Sequence, residues 1–123
     1  MILNCRHFKA GPDIMGRTWQ VDLLWLQTAV AIRHSDSVDV KFRLSAGSEL
    51  VEKVVSMRHP DLLALSGQKG RPLTDSWCIR LAGHHLANVI ESGNDTGGTL
   101  LTAGPEDLAR CDDRIAVAGI LEE

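Results

Sequence analysis

Apolar and polar residues alternate most regularly between Val38 and Leu44. Val38, Val40, Phe42 and Leu44 share one parity, and Asp39, Lys41 and Arg43 share the other. Successive side chains of a strand point to opposite faces, so this run predicts a strand with one face on a core and one in water. An apolar run lies on either side of it. Val30 and Ile32 lead to His34 in the first; Val51, Val55 and Met57 lead to His59 in the second, with Lys53 as the exception to the pattern. Turn-type residues separate the runs at Ser35-Asp36-Ser37 and Ser45-Ala46-Gly47-Ser48, which predicts an antiparallel meander.

Each outer run ends in the tetrad Arg-His-x-Asp: Arg33-His34-Ser35-Asp36 and Arg58-His59-Pro60-Asp61. In a meander the outer strands run the same way, so both tetrads are expected at one end of the sheet, about 10 Å apart. Parity then puts both imidazoles on the core side and Arg33 and Arg58 on the other.

Upstream, Ile2–Phe8 is expected to form a short strand and Ala10–Gly16 a turn. In Thr18–Leu26, Trp19, Val21, Leu23 and Trp25 alternate with Gln20 and Asp22, which favours a strand with a bulge near Leu24. A helix over Val21–Ile32 competes with that assignment, because Leu, Gln and Ala favour helix. Downstream the period changes. Pro60–Ser66 reads as a short helix and Gly67–Pro72 as a loop. Thr74 is the expected N-cap of a long helix over Asp75–Glu91, with Gly93 as its stop. Its apolar stripe is Cys78, Leu81, Ala82, His85, Leu86 and Val89, so His85 is expected buried and His84 exposed. Thr99–Thr102 could add an edge strand. Gly104-Pro105-Glu106-Asp107 opens a last helix expected to reach about Val117. Strands first and helices after predict an α+β fold: an antiparallel meander of four to five strands, covered on one face by about three helices.

The length of 123 residues suits a single domain, 1–123. The net charge of −3 is spread along the chain, which argues against broad electrostatic attraction to nucleic acid. Cys5, Cys78 and Cys111 are sparse and form no Cys-x-x-Cys pair, as suits a reducing compartment. No stretch reads as a signal peptide or a membrane span. The expectation is a soluble cytoplasmic protein with no membrane partner.

The tetrads are the main candidates for chemistry. His34 and His59 could share acid–base work, with Asp36 or Asp61 to orient an imidazole. The structural alternative is that Asp36 serves a turn and His59-Pro60-Asp61 a helix start. Histidine spacing gives no metal motif, and neither a metal nor a cofactor is expected. Cys78, at the head of the long helix, is well placed for a thiolate, but its position on the apolar stripe favours an inert buried thiol. Trp19 and Trp25 are candidate lining for a ligand pocket or part of a core. Lys69 and Arg71, ahead of a helix N-terminus, could bind an anion.

Gly67-Gln68-Lys69-Gly70, flanked by Leu65 and Leu73, is similar over about ten residues to the Gly-x-x-Gly loop of KH domains, which would imply nucleic-acid binding. Pro72 and the acidic charge balance depart from that pattern. The reading preferred from sequence is a small binding protein, expected to be a homodimer, with a small-molecule or partner pocket between sheet and helices. A small acid–base enzyme, a hydrolase or lyase using His34 and His59, is the alternative.

Overall fold

The computed structural model describes residues 5–29, 36–93 and 98–122. The elements in chain order are β1 (His7–Ala10), β2 (Trp19–Ala29), β3 (Ser37–Ala46), β4 (Glu49–Arg58), α1 (His59–Lys69), α2 (Asp75–Ser92), β5 (Leu100–Ala103) and α3 (Pro105–Glu122). The strands form one sheet in the order β1-β2-β3-β4-β5. The first four are antiparallel and form a meander, and the fold is α+β; the strand beside β3 is β2, ending at Ala29, while the expected run through Val30 and Ile32 lies outside the described residues. β5 instead runs parallel to β4, because a crossover through α1 and α2 returns the chain to the same end of the sheet. The first strand starts later than the sequence suggested, at His7; Ile2 to Asn4 lie outside the described residues.

β3 has the expected alternation. Val38, Val40, Phe42 and Leu44 are buried, while Asp39, Lys41 and Arg43 face the other way. β2 is a strand rather than a helix, and its register shifts between Leu23 and Trp25, which places a bulge at Leu24. That bulge reverses the parity. Trp19 and Val21 are buried before it, and after it Leu26 packs on the core while Trp25 lies on the open face. The two tryptophans therefore occupy opposite faces.

In β4 the apolar parity needs correction at both of its irregular positions. Val51 is exposed, whereas Lys53 takes a buried place beside Val55 and Met57. Its ammonium donates to the carbonyl of Gly98 at 2.8 Å, the kind of bond a buried cation requires.

The helices cover the core face. Thr74 caps α2 by accepting from the Trp77 amide at 3.2 Å, and Gly93 ends it in the left-handed conformation that glycine adopts without steric cost. α1 is longer than expected. Gly67, Gln68 and Lys69 form its last turn, and the left-handed residue is Gly70. Gly67–Gly70 is thus a helix end rather than a loop. α3 also extends beyond Val117. At its start the Asp107 carboxylate reaches back to accept from the Gly104 amide at 3.1 Å, half of a capping box.

His84 is buried, contrary to its expected exposure. Helix α2 lies against the sheet on one side and against α3 on the other. A helix covered on two sides needs no polar stripe, and burial runs unbroken from Trp77 to Ile79 and from Leu81 to Ala87.

Candidate functional site

Asp36, the last residue of the first tetrad, and the second tetrad lie at one end of the sheet. Ala29, Ser37 and Arg58 form one cross-strand row there. The amide of His59 donates to the carbonyl of Asp36 at 2.8 Å, which ties these two residues together through main chain. His59 is the first residue of α1 rather than a strand residue, so strand parity does not set its direction. Asp61 lies in the first turn of α1, where an acid suits the positive end of the helix. Arg58 is the N-cap residue and makes no side-chain cap bond. Arg33 and His34 lie outside the described residues.

Trp19 is part of the core. Its indole N–H donates to Asp13 at 3.0 Å, and the other oxygen of Asp13 accepts from the amides of Met15 and Arg17. The Trp19 bond and then the Arg17 amide hold the Asp13 carboxyl below its usual range. Trp25 sits under the Lys41 ammonium, 5.7 Å from the ring centre.

A cleft of about 250 Å³ opens at the head of α2, lined by Arg71, Pro72, Thr74, Ser76, Trp77, Arg80 and Ile115 among others. It lies in the helical layer. The space between sheet and helices around Phe42, Val55, Met57 and Leu86 is filled by fully buried side chains.

The cleft has a buried acidic support. Asp112 of α3 is 1% exposed and accepts from the Trp77 indole N–H at 2.9 Å. The same oxygen lies 2.6 Å from Arg71 Nε, an ion contact off the line of a hydrogen bond. Asp112 thus fixes the two side chains that form one wall. Its buried position is signalled in the sequence, since Leu108, Cys111 and Ile115 define a helical stripe on which 112 also falls. Lys69 is not among the lining residues and pairs with Asp113 at 3.3 Å.

Arg80, one turn further along α2, is exposed, and among the described residues no acid pairs with it. Thr74 takes up the Trp77 and Cys78 amides, leaving those of Asp75 and Ser76 at the positive end of the helix. Hydroxyls, amides and one guanidinium without an acidic partner therefore converge on the cleft. Sequence reasoning singled out Arg71 but not Arg80, whose place in the cleft depends on Ile115 of α3.

The other reactive groups near α2 are subdued. Burial pushes the Cys78 thiol up to about 11 and the Cys111 thiol up to about 12, so neither is a thiolate at neutral pH. Burial also lowers the pKa of His84 and His85, helped by Arg114 for His84. No cluster of metal-binding side chains occurs among the described residues, and no described helix is long and apolar enough to cross a membrane.

No family model matches the chain, and neither a curated protein nor a solved structure matches it.

Proposed function

We propose that the chain is a small, soluble, cytoplasmic binding protein that works as a homodimer and takes an anionic small molecule in the cleft at the head of α2. The observation that carries the ligand class is Arg80, a guanidinium without an acidic partner among the described residues, beside the first turn of an 18-residue helix. A phosphate or carboxylate there would accept from Arg80, from the Ser76 hydroxyl and from first-turn amides, where the helix dipole favours negative charge. Arg71, tied to Asp112, would shape the wall and present the rest of its guanidinium.

Titration calorimetry with inorganic phosphate, a nucleoside monophosphate and citrate tests this reading. Binding of one of them should weaken by at least ~10-fold in Arg80→Ala, the scale of one charge-assisted hydrogen bond. Absence of heat and of thermal stabilisation with all three probes would overturn it.

A further inference from the structure

The cross-strand registers order the open face of the sheet into rows. One row is His7, Asp22, Arg43 and Glu52 across β1 to β4. The next contains Trp25, Lys41, Val54 and Leu100 across β2 to β5. Beyond it lie Gln27, Asp39, Ser56 and Thr102. Contacts within and between the rows place these side chains on one side: His7 with Asp22, Lys41 with Glu52 at 3.0 Å, and Lys41 over Trp25. The described helix side chains that enter the core pack on the other face.

The first row has a property that selects its partner. Its signs read plus, minus, plus, minus when His7 is protonated, so the row reversed is its own complement. A two-fold axis parallel to the strands, between β2 and β3, reverses each row and keeps the rows level. Asp22 then meets Arg43 of a second copy, and His7 meets Glu52. The same operation sets Trp25 over Lys41 and Gln27 against Asp39, neither of which opposes like charges. Within these three rows protonated His7, Lys41 and Arg43 are balanced by Asp22, Asp39 and Glu52, while Lys9 and Arg58 lie in the flanking rows.

We infer that the open face of the sheet is a homodimer interface, with two sheets packed face to face about this axis. The inference rests on the homodimer part of the function proposed above and names the surface. Aligned sheet packing is an established geometry. About this axis β1 to β4 of the two copies overlap, over about 14 Å between the outer strands and about 30 Å along the longer ones, a projected footprint of roughly 400 Å² per partner and the scale of a weak, transient interface. Its polarity suits a non-obligate association, whose surfaces are about as apolar as the rest of a protein, rather than an obligate dimer. Trp25, 37% exposed, and Arg43, 48% exposed, belong to the residue types that anchor such contacts.

The test is sedimentation equilibrium of the full chain and of Asp22→Arg and Arg43→Glu, each checked for an unchanged circular dichroism spectrum. Alone, each variant opposes like charges across the axis, and its dimer dissociation constant should rise at least ~10-fold. Mixed, the two variants set opposite charges at both contacts between positions 22 and 43, and should form a heterodimer. Trp25→Arg, which sets a second cation against Lys41, should weaken the dimer if either charge variant fails to fold. A parent chain that is monomeric at high micromolar concentration overturns the homodimer reading and this surface together, and leaves the anion cleft untouched. A parent dimer that the single variants do not weaken, or a mixture that does not associate, overturns the surface alone.

Discussion

The amide of His59 donates to the carbonyl of Asp36, 2.8 Å away, and ties the start of α1 to the approach to β3. The first amides of a helix have no partner within it, and this bond satisfies one of them. It uses no side-chain atom. His59→Asn should therefore leave stability within about 0.5 kcal/mol of the parent, as for a surface change away from special features. His59→Pro removes the donor and should cost about 1–3 kcal/mol, the penalty of an unsatisfied carbonyl. Urea unfolding of the two variants checks this. Equal losses would mean that the imidazole has a structural role of its own.

Core packing gives a second expectation. Phe42 is fully buried and meets Phe8 edge-on, with ring centres 6.1 Å apart. Phe42→Ala should cost about 3–5 kcal/mol. Leu81→Asp should prevent folding, and His84→Asp should do the same, because both positions are enclosed. A native circular dichroism spectrum for His84→Asp would show that α3 does not cover that side of α2.

These residues also show what the sequence could convey. The β3 face, the bulge at Leu24 and the Thr74 and Gly93 caps depend on neighbours within a few positions, and local pattern displays them. The burial of His84 depends on α3 packing from the far side, which no periodicity within α2 reports. Lys53 was visible only as an irregularity, because its partner Gly98 is 45 residues away. α1 continues through Gly67 because its stop is Gly70, whose left-handed backbone and amide bond to Ser66 close the last turn; either glycine could have served from sequence alone. The cleft needs α3 to supply Asp112 and Ile115 opposite α2, so only half of it could be read from one stretch.

Acid should destabilise the protein through His84 and His85. Burial lowers both below the ordinary value of 6.5, so the unfolded chain binds protons more readily than the folded one. Their stabilising contribution is complete above about pH 6.5 and is lost as pH falls from there through the lowered folded-state values. Asp107 near His85 opposes the shift, while Arg110 adds to it. Melting temperatures between about pH 7.5 and 5, chosen to bracket the usual histidine range, should fall for the parent. They should fall less for a His84→Gln, His85→Gln variant that folds. A pH-independent parent would contradict the burial of these rings.

Thiol labelling gives an independent measure of the α2–α3 contact. With Cys78 near 11 and Cys111 near 12, both are protonated as well as buried at neutral pH. Their reaction with a disulfide reagent should proceed only through opening of the structure, and should accelerate in mild urea in step with unfolding. Immediate reaction of either thiol in native buffer would contradict its enclosure.

The contact between Asp112 and Trp77 separates the structural support of the cleft from its ligand chemistry. One carboxylate oxygen serves the Trp77 indole and lies against Arg71, and the side chain is 1% exposed. Asp112→Asn keeps an oxygen for the indole but removes the charge facing Arg71. Asp112→Ala removes both and leaves the indole N–H without its acceptor. The alanine variant should therefore lose more stability, by about 1–3 kcal/mol relative to asparagine, the cost of one unsatisfied buried donor. A double-mutant cycle with Trp77→Phe isolates the pair, and its coupling should fall in the range of roughly 0.5–3 kcal/mol seen for groups in one network. Arg71 is 34% exposed, so water can solvate its charge once Asp112 is neutralised and limits that part of the loss. The same neutralisation leaves Arg71 free to meet an anion. Asp112→Asn should thus bind phosphate more tightly than the parent while being less stable, a divergence that a purely structural role for the pair would not produce.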